Sequence, residues 1–333
     1  MELNKVHNID FLNNDLPDKC AKLIIADPPY YKVKGDFDFI WKTFDDYLKD
    51  VEKWAVECKR ILADNGTLLW YGDAKNIAYA QIIFDKHFNL LNSIVWENTN
   101  DHKQQIRFNE DLRTFAPLTE RILMYSNEVD KTGLQEIQNN QTLYKPIRDY
   151  FLEQKKNSNY TFKQINEECF GSASNGGGMA SNILTSYKDG WTFPTKEKYE
   201  ALQKIGLCPK PYEELKAEYE ELKAEYEELK AEYEELRRPF NNSLHLGDVI
   251  RLPNYETSDY DHDTIKPEKL TRILITTCSR ENDLVVVPFA GSGTECAMSA
   301  KEKRPFIGYE ITEKHAKMSQ ERANKILKEP TLF

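Results

Sequence analysis

The feature that most constrains the fold is an alternation of strand and helix patterns at both ends of the chain. In the first part, "AKLIIAD" is typical of a buried strand, and "FDDYLKDVEKWAVECKRILA" places its apolar residues on one helical face. Near the other end, "DLVVVPFAGSG", "TECAMSAKEK", "RPFIGYEI" and "EKHAKMSQERANKIL" repeat this order. Strand–helix–strand repetition indicates a mostly parallel sheet covered by helices. We therefore predict an α/β fold with a doubly wound, mostly parallel sheet.

The alternation stops between residues 129 and 240. Two short helix patterns, Phe162–Cys169 and Met179–Ser186, flank a glycine-rich turn, which fits either a helix–turn–helix or an ordinary loop. A heptad repeat follows over residues 212–238, and it fits a coiled-coil strand or, in our preferred interpretation, a single surface helix packing on its own protein. We predict one α/β domain made of residues 1–128 and 241–333, with a mainly helical insert at 129–240.

Cysteine usage and hydropathy narrow the class of protein. The six cysteines are scattered without a C-x-x-C pair, which argues against a disulfide framework and against a zinc cluster. The first residues, "MELNKVHNID", do not resemble a signal peptide, and no apolar run approaches membrane-spanning length. We expect a cytoplasmic protein without a membrane partner and without a bound metal.

The net charge of −10 argues against a nucleic-acid partner only weakly, because the acidity is local. The segment Glu213–Arg238 contains 11 Glu and 5 Lys or Arg, whereas residues 141–211 are mildly basic. Candidate contacts to nucleic-acid phosphates lie beside the two short helix patterns and in a polar loop, although a solvated surface explains them equally well. These candidates are Lys155, Lys156, Lys163, Lys188, Arg107 and Arg113.

A small-residue turn lies between a β-branched strand and a helix, at Ala290, Gly291, Ser292 and Gly293. Such a turn lets the backbone approach a ligand closely, and Glu310, at the end of the next strand, is placed to bind ribose hydroxyls. The turn lacks the third glycine of a dinucleotide site and the Lys-Ser/Thr of a phosphate loop. The pattern therefore favours an adenosine cofactor without a pyrophosphate, such as S-adenosylmethionine.

The tetrapeptide Asp27-Pro28-Pro29-Tyr30 directly follows the first predicted strand. In an open parallel sheet it shares a crevice with the glycine turn, because ligands bind beyond the carboxyl ends of the strands. Two prolines fix the backbone, and the Asp27 carboxylate and a backbone carbonyl then form a rigid acceptor pair beside an aromatic ring. Such a pair suits a planar heterocycle that carries an amino group. The pair accepts hydrogen bonds from the amino N–H groups, while the ring stacks on Tyr30.

These motifs together resemble the DNA amino-methyltransferases that use S-adenosylmethionine. The resemblance rests on Asp27–Tyr30, on "VPFAGSGT" and "FIGYE", and on "HDTIKPEKL", with "LTERILMYS" and "KRILADNGTLLWYG" as further similar segments. The tetrapeptide precedes the cofactor turn, as in the beta motif order of that family. The resemblance covers residues 1–128 and 241–333, and it implies a Rossmann-like methyltransferase fold with the insert as a target-recognition region.

The resemblance also implies roles for individual residues. Asp27 and the Pro28 carbonyl bind the target amino group, Pro29 completes the rigid tetrapeptide, and Tyr30 stacks on the base. Glu310 binds the ribose, and Lys266 and Pro267 lie against the cofactor from the other side. The remaining cofactor residues come from the first strand end and from the turn, where Phe289, Gly291 and Gly293 cradle the methionine half. The full cofactor set is Ala26, Asp27, Lys266, Pro267, Pro288, Phe289, Ala290, Gly291, Ser292, Gly293, Thr294 and Glu310.

The implied activity is methylation of adenine N6 in double-stranded DNA, because Asp at the first motif position is the family's amino-adenine form. The adenine is expected to be flipped out of the duplex. N4 of cytosine, RNA and a non-catalytic DNA-binding role are the alternatives, and a homodimer and a cognate restriction enzyme are further partners that the family admits. One departure is Val287, where the family usually has Asp, so Asp283 and Asp27 are candidates to replace the lost polar group.

Overall fold

The computed structural model of the chain describes residues 2–33, 36–100, 113–127, 144–171, 178–185, 191–254 and 265–328. It divides into two compact units. The first consists of Met1–Val129 together with Arg238–Phe333, and the second is Asp130–Arg237. The chain of the first unit is therefore interrupted by the second.

The first unit is built on one eight-stranded sheet of described residues with the order β1-β8-β7-β2-β3-β5-β4-β6. Only β5 runs antiparallel to its neighbours, β3 and β4, and all other pairs are parallel. The strands are β1 (Lys5–His7), β2 (Ala21–Ala26), β3 (Leu62–Asp73), β4 (Asn89–Asn98), β5 (Thr119–Ser126), β6 (Val249–Leu252), β7 (Val285–Val287) and β8 (Phe306–Tyr309).

Helices cover both faces of this sheet, which confirms the predicted fold class. In β2, Ile24 and Ala26 pack on one face while Leu23 and Ile25 pack on the other, as the two-residue period of a strand requires. The first face is covered by α1 (Phe44–Ile61) and α2 (Ile77–Phe84). The second is covered by the helices of the C-terminal part, numbered α8 (Glu268–Cys278), α9 (Thr294–Lys301) and α10 (Glu313–Lys328).

Helix α1 shows how local sequence fixes one of these layers. Thr43 is the N-cap residue, and its hydroxyl accepts from the backbone N–H of Asp46 at 3.2 Å. Val51, Trp54 and Cys58 recur at helical spacing and are buried against the sheet. Burial of each large apolar side chain stabilises the fold by about 1.5–3 kcal/mol.

Strand β3 contains a segment with the composition of a turn. The residues Asp64-Asn65-Gly66 lie inside β3, although Asp, Asn and Gly are residues that favour turns. The pairing with β2 shifts from Ala21–Leu62 to Leu23–Thr67, so a bulge absorbs the extra residues. A side chain at Gly66 would meet Leu62 at 2.6 Å, which explains the glycine within this irregular segment.

The described part of the second unit is helical and has its own apolar core. Its helices are α3 (Lys145–Lys156), α4 (Phe162–Phe170), α5 (Met179–Leu184), α6 (Lys196–Lys204) and α7 (Tyr212–Leu236). The heptad seam of α7 buries Leu215 fully and packs Tyr219 and Leu222 against that core, while Leu236 is exposed. The first half of the seam thus packs within its own unit. Among the described helices, none combines the length and the apolar character needed to span a membrane.

Candidate active site

A cavity of about 760 Å³ opens at the carboxyl ends of the parallel strands of the first unit. Its walls are the segments that leave β2, β3, β7 and β8, namely residues 27–30, 73–75, 288–292 and 309–312. The start of β5 adds Thr119 and Glu120. The volume lies within the range of roughly 300–1,000 Å³ that is usual for small-molecule sites.

Most of the residues predicted for the site line this one cavity. They are Asp27, Pro28, Pro29, Tyr30, Lys266, Pro288, Phe289, Ala290, Gly291, Ser292 and Glu310. The structure therefore brings together the Asp-Pro-Pro-Tyr segment, the glycine turn and the acid of the next strand, although they are far apart in sequence. Their functional roles stay predictions.

Four of the predicted cofactor residues lie behind the cavity wall, where they have local structural partners. Ala26 is fully buried in β2, and the Pro267 carbonyl accepts from the N–H of Thr271 in the first turn of α8. Gly293 has a φ of +79°, and a Cβ there would lie 2.6 Å from the Cα of Ser319. Thr294 Oγ1 accepts a hydrogen bond from Arg322 at 2.8 Å.

Lys266 joins two carboxylates at the floor of the cavity. Its Nζ lies 2.8 Å from Asp27 Oδ2 and 3.1 Å from Glu120 Oε2, and the residue is only 4% exposed. Burial disfavours the ammonium, but Asp27 and Glu120 outweigh it and raise the pKa of Lys266 above its ordinary value. Glu120 is a site residue that the motifs did not indicate.

Tyr30 is tied to Asp27 by its hydroxyl, which donates to Asp27 Oδ1 at 2.7 Å. Burial, together with the negative charges of Asp27 and Glu120, raises the pKa of Tyr30 well above its ordinary value. The phenol therefore remains a donor. The ring centroid lies 5.6 Å from Lys266 Nζ, and the backbone N–H of Tyr30 donates to Asp38. Acid, aromatic ring and cation form one rigid cluster.

The glycine turn and Glu310 are directly linked. The N–H of Gly291 donates to Glu310 Oε2 at 2.9 Å, and the N–H of Thr312 donates to Oε1 at 2.8 Å. These two bonds fix the carboxylate at the tip of β8, beside the turn. These features fit an adenosine-type cofactor. The glycine turn lets the backbone approach a ligand closely, Glu310 is a fixed acid, and Phe289 is part of an apolar wall.

Glu295 is a second carboxylate that sequence patterns did not indicate. It lies in the first turn of α9, lines the cavity and is 4% exposed. Burial and the neighbouring Asp27 raise its pKa to about 7, against the opposing effects of a hydrogen bond from its own backbone and of the charges of Lys266 and Arg322. Its position two residues after Gly293 was the one sequence feature that could have indicated a place in the site. Val287, by contrast, is fully buried among apolar residues of the sheet.

The predicted phosphate contacts lie in both units. Lys155 and Lys156 are the last two residues of α3, and Lys163 lies in α4. The ammonium of Lys155 lies 5.1 Å from the centroid of the Phe162 ring. Lys156 and Lys163 are exposed, as is Arg113 in the first unit. Lys188 and Arg107 lie outside the described residues. Within the described ranges, no group of three or more His, Cys, Asp or Glu side chains is arranged to hold a metal ion.

The comparison with known families decides the class of protein. A family model described as DNA methylase, of the N6/N4 type, matches residues 21–321. The chain belongs to the DNA methylase family. This membership places the cavity in a methyltransferase domain and confirms the resemblance that the motifs indicated.

Individual DNA methylases support the same family. DNA adenine methyltransferase YhdJ of Escherichia coli (strain K12) is 25% identical over 315 residues, which cover 92% of this chain and 77% of that protein. The structure of an M1.HpyAVI–SAM complex matches with a TM-score of 0.51 at 16% identity, covering 96% of this chain and 98% of that one. The cytosine-N4-specific PvuII DNA methyltransferase matches with a TM-score of 0.51 at 12% identity, covering 97% and 90%. The two structural likenesses show the fold.

Proposed function

We propose that this DNA methylase transfers a methyl group from S-adenosylmethionine to N6 of an adenine flipped out of double-stranded DNA. The observation that carries the proposal is the meeting of Asp27–Tyr30, the glycine turn and Glu310 in one cavity. The similarity to an adenine methyltransferase along 92% of the chain favours adenine as the target. A base within a duplex cannot reach a recessed pocket, so flipping is part of the proposal.

Asp27 and the Pro28 carbonyl accept the N–H groups of the target amino group in this proposal. Asp27 already accepts from Lys266 and Tyr30, but each carboxylate oxygen has two lone pairs and can accept a further bond. Accepting these hydrogens localises the lone pair of the amino nitrogen, which conjugation with the ring otherwise withdraws. Tyr30 stacks on the base and Lys266 keeps Asp27 in place.

The cofactor is assigned to the glycine turn and to Glu310, which line the same cavity. S-adenosylmethionine supplies, when bound, an electrophilic methyl group on a sulfonium. Glu310 is assigned to the ribose hydroxyls, because its carboxylate is fixed by Gly291 and Thr312 at the cavity edge. Phe289 and the backbone of residues 290–292 contribute the apolar and close-approach surfaces.

Held by Phe289, the backbone of residues 290–292 and Glu310, S-adenosylmethionine would supply its methyl group to the amino nitrogen, and the electron pair of the carbon–sulfur bond would leave with sulfur. The amino nitrogen would lose one proton to solvent. The chain's contribution is to hold the acceptor groups and the methyl donor in line, so that proximity and electrostatic stabilisation supply the acceleration.

The second unit is assigned to target recognition. It is a separate helical body with Lys156 and Lys163 exposed on it, and exposed lysines suit contacts to DNA phosphates. Recognition of a particular sequence by α4 and α5 would follow the helix–turn–helix geometry.

N4 of cytosine is the second candidate target, because the fold also matches a cytosine-N4-specific enzyme. Both bases present an amino group on a planar ring, so the Asp27 acceptor pair serves either one. RNA or a non-catalytic role are further outcomes that an assay must separate.

The test is to incubate the protein with labelled S-adenosylmethionine and unmethylated genomic DNA, and to identify the labelled nucleosides by chromatography. We expect the label in N6-methyladenine. Label in N4-methylcytosine would replace the adenine assignment, and label in RNA alone would contradict the DNA substrate. Cofactor binding without any labelled nucleic acid would contradict the catalytic proposal.

A further inference from the structure

Glu295 is an acid of the cavity to which the proposed reaction assigns no role. Its Oε1 atom is buried and has no hydrogen-bond partner among the described residues, although the side chain lines the cavity wall. A buried carboxyl oxygen without a partner costs free energy. A buried carboxyl oxygen without a partner at a cavity wall therefore indicates that a group of the bound ligand makes the missing hydrogen bond.

The other carboxylates that line the cavity all have partners. Asp27 and Glu120 hold Lys266, and Glu310 accepts from the backbone of Gly291 and Thr312. The remaining ones accept from a backbone N–H or from a neighbouring side chain; these are Asp10, Asp38, Asp50 and Asp73. Glu120 Oε2 is also buried without a hydrogen bond, but it lies 3.1 Å from Lys266 Nζ. Among the described residues that line the cavity, Glu295 Oε1 is thus the buried carboxyl oxygen with neither a hydrogen bond nor an ion pair.

The surrounding charges specify a cationic group. Glu295 interacts electrostatically with Asp27, Lys266 and Arg322. Lys266 is shared between two carboxylates, and Arg322 makes an ion pair with Glu268 at 2.8 Å. Adding an ionised Glu295 therefore leaves the pocket with an excess of negative charge, which a cationic ligand group would neutralise.

The position of Glu295 fits the amino-acid end of the cofactor. It follows the glycine turn by two residues and lies near Asp27, on the side of the cavity where β2 and β7 are neighbours. Val287, at the end of β7, offers no polar group there. Asp283 lies before β7, at the opposite end of the strand, and its carboxylate accepts from the N–H of Arg280. Asp283 therefore cannot replace the missing acid.

We propose that Glu295 binds the α-ammonium group of the cofactor's methionine part and so supplies the acid that Val287 lacks. This inference rests on the proposed function. In this chain the carboxylate comes from the first turn of α9 rather than from the strand end. Ion pairing to the ammonium provides the missing partner for Oε1.

The experiment measures ligand binding by calorimetry, without any turnover. The ligands are S-adenosylhomocysteine, which has the ammonium but no sulfonium, and its analogue that lacks the amino group. Glu295→Gln should weaken S-adenosylhomocysteine roughly 10- to 100-fold, the usual range for losing a hydrogen bond to a charged group, and should leave the desamino analogue unchanged. Glu295→Asp, which retains the charge, should recover part of the loss. Glu321→Gln, an exposed position on α10, is the matched control and should bind both ligands normally.

Three results would overturn the proposal. Unchanged binding of S-adenosylhomocysteine by Glu295→Gln would show that Glu295 does not meet the ammonium. Equal weakening of both ligands would show that Glu295 only supports the cavity wall. Failure of the unmodified protein to bind either ligand would remove the proposed cofactor itself, and with it the inference.

Discussion

Lys266 holds together the carboxylate cluster that is proposed to face the target base. Its ammonium is buried between Asp27 and Glu120, which belong to different strand ends, and it lies near the rings of Tyr30 and Tyr71. A buried cation shared in this way keeps two like charges close together. Removing the ammonium leaves the negative charges of Asp27 and Glu120 in a desolvated site without a neutralising cation.

We therefore expect Lys266→Met to lower the free energy of unfolding by about 3–5 kcal/mol, the usual cost of removing one partner of a buried ion pair. Urea unfolding followed by circular dichroism measures the change. Lys269→Met, at an exposed position in α8, which begins two residues after Lys266, should change stability by less than about 0.5 kcal/mol. Equal stability of the two variants would contradict the role assigned to Lys266.

Glu295 makes the stability of the unliganded protein depend on pH. Its pKa is raised from the ordinary value of 4.5 to about 7 in the folded state, so the folded protein holds a proton that the unfolded chain has lost. The free energy of unfolding should thus fall as pH rises between those two values, by about 3 kcal/mol in total. Glu295→Gln should lack this fall. Urea unfolding at pH 5 and pH 8 tests it, and parallel profiles for both proteins would contradict it.

At the scale of elements, the turn between β7 and α9 is fixed by packing against α10. Gly293 adopts a left-handed φ of +79°, and its Cα faces the backbone of Ser319. Both constraints exclude a side chain at this position, so the glycine is required by packing as well as by conformation.

Gly293→Ala should lower the free energy of unfolding by roughly 2–4 kcal/mol, through the left-handed backbone cost and the overlap with Ser319. The control is Gly247→Ala in the same unit, where an added Cβ meets nothing within 4 Å. Thermal unfolding of both variants measures the difference. Indistinguishable midpoints would mean that α9 and α10 can separate at little cost.

The elements that repeat a regular pattern could be predicted from the sequence. Strand β2 and the N-terminal end of α1 have the predicted positions, because a continuous apolar period has one favourable register. The bulge in β3 could not be predicted, because Asp64-Asn65-Gly66 has the composition of a turn and only pairing with β2 keeps it in the sheet. Sheet pairing is a tertiary effect that local propensity does not contain.

The same limit applies to the site. Asp27 and the glycine turn were predictable because carboxyl ends of parallel strands share one edge. Glu120 was not, because it lies in the first residues of β5, and only the antiparallel direction of that strand brings them to this edge. Glu295 was not, because its importance depends on burial and on the missing partner of Oε1.

At the scale of the whole molecule, the net charge of −10 repels DNA, so any DNA binding must come from local groups of basic residues. The second unit has exposed lysines at positions 156 and 163, while its helix α7 is strongly acidic. We expect the acidic helix to lie away from DNA and the two lysines to contact phosphates.

Replacing Lys156 and Lys163 together by Gln should weaken binding to DNA of any sequence and reduce the salt slope of the binding constant by about 2, roughly one for each phosphate contact. Fluorescence anisotropy over a salt series measures the slope. Lys223→Gln, an exposed position on α7, is the control and should not change it. An unchanged slope in the double variant would remove these lysines from the interface.

We assign two functions to one cavity: Asp27 acts on the target base, while the glycine turn and Glu310 hold the cofactor. The most direct test is to measure, for Asp27→Asn and the unmodified protein, both the single-turnover rate of methyl transfer to DNA and the dissociation constant for S-adenosylmethionine. We predict that the rate falls at least about 100-fold, since an acceptor aligned with the reacting group is lost, while the dissociation constant changes at least tenfold less. A normal transfer rate in this variant would contradict the role of Asp27. An equal loss of cofactor binding would contradict the division of the cavity.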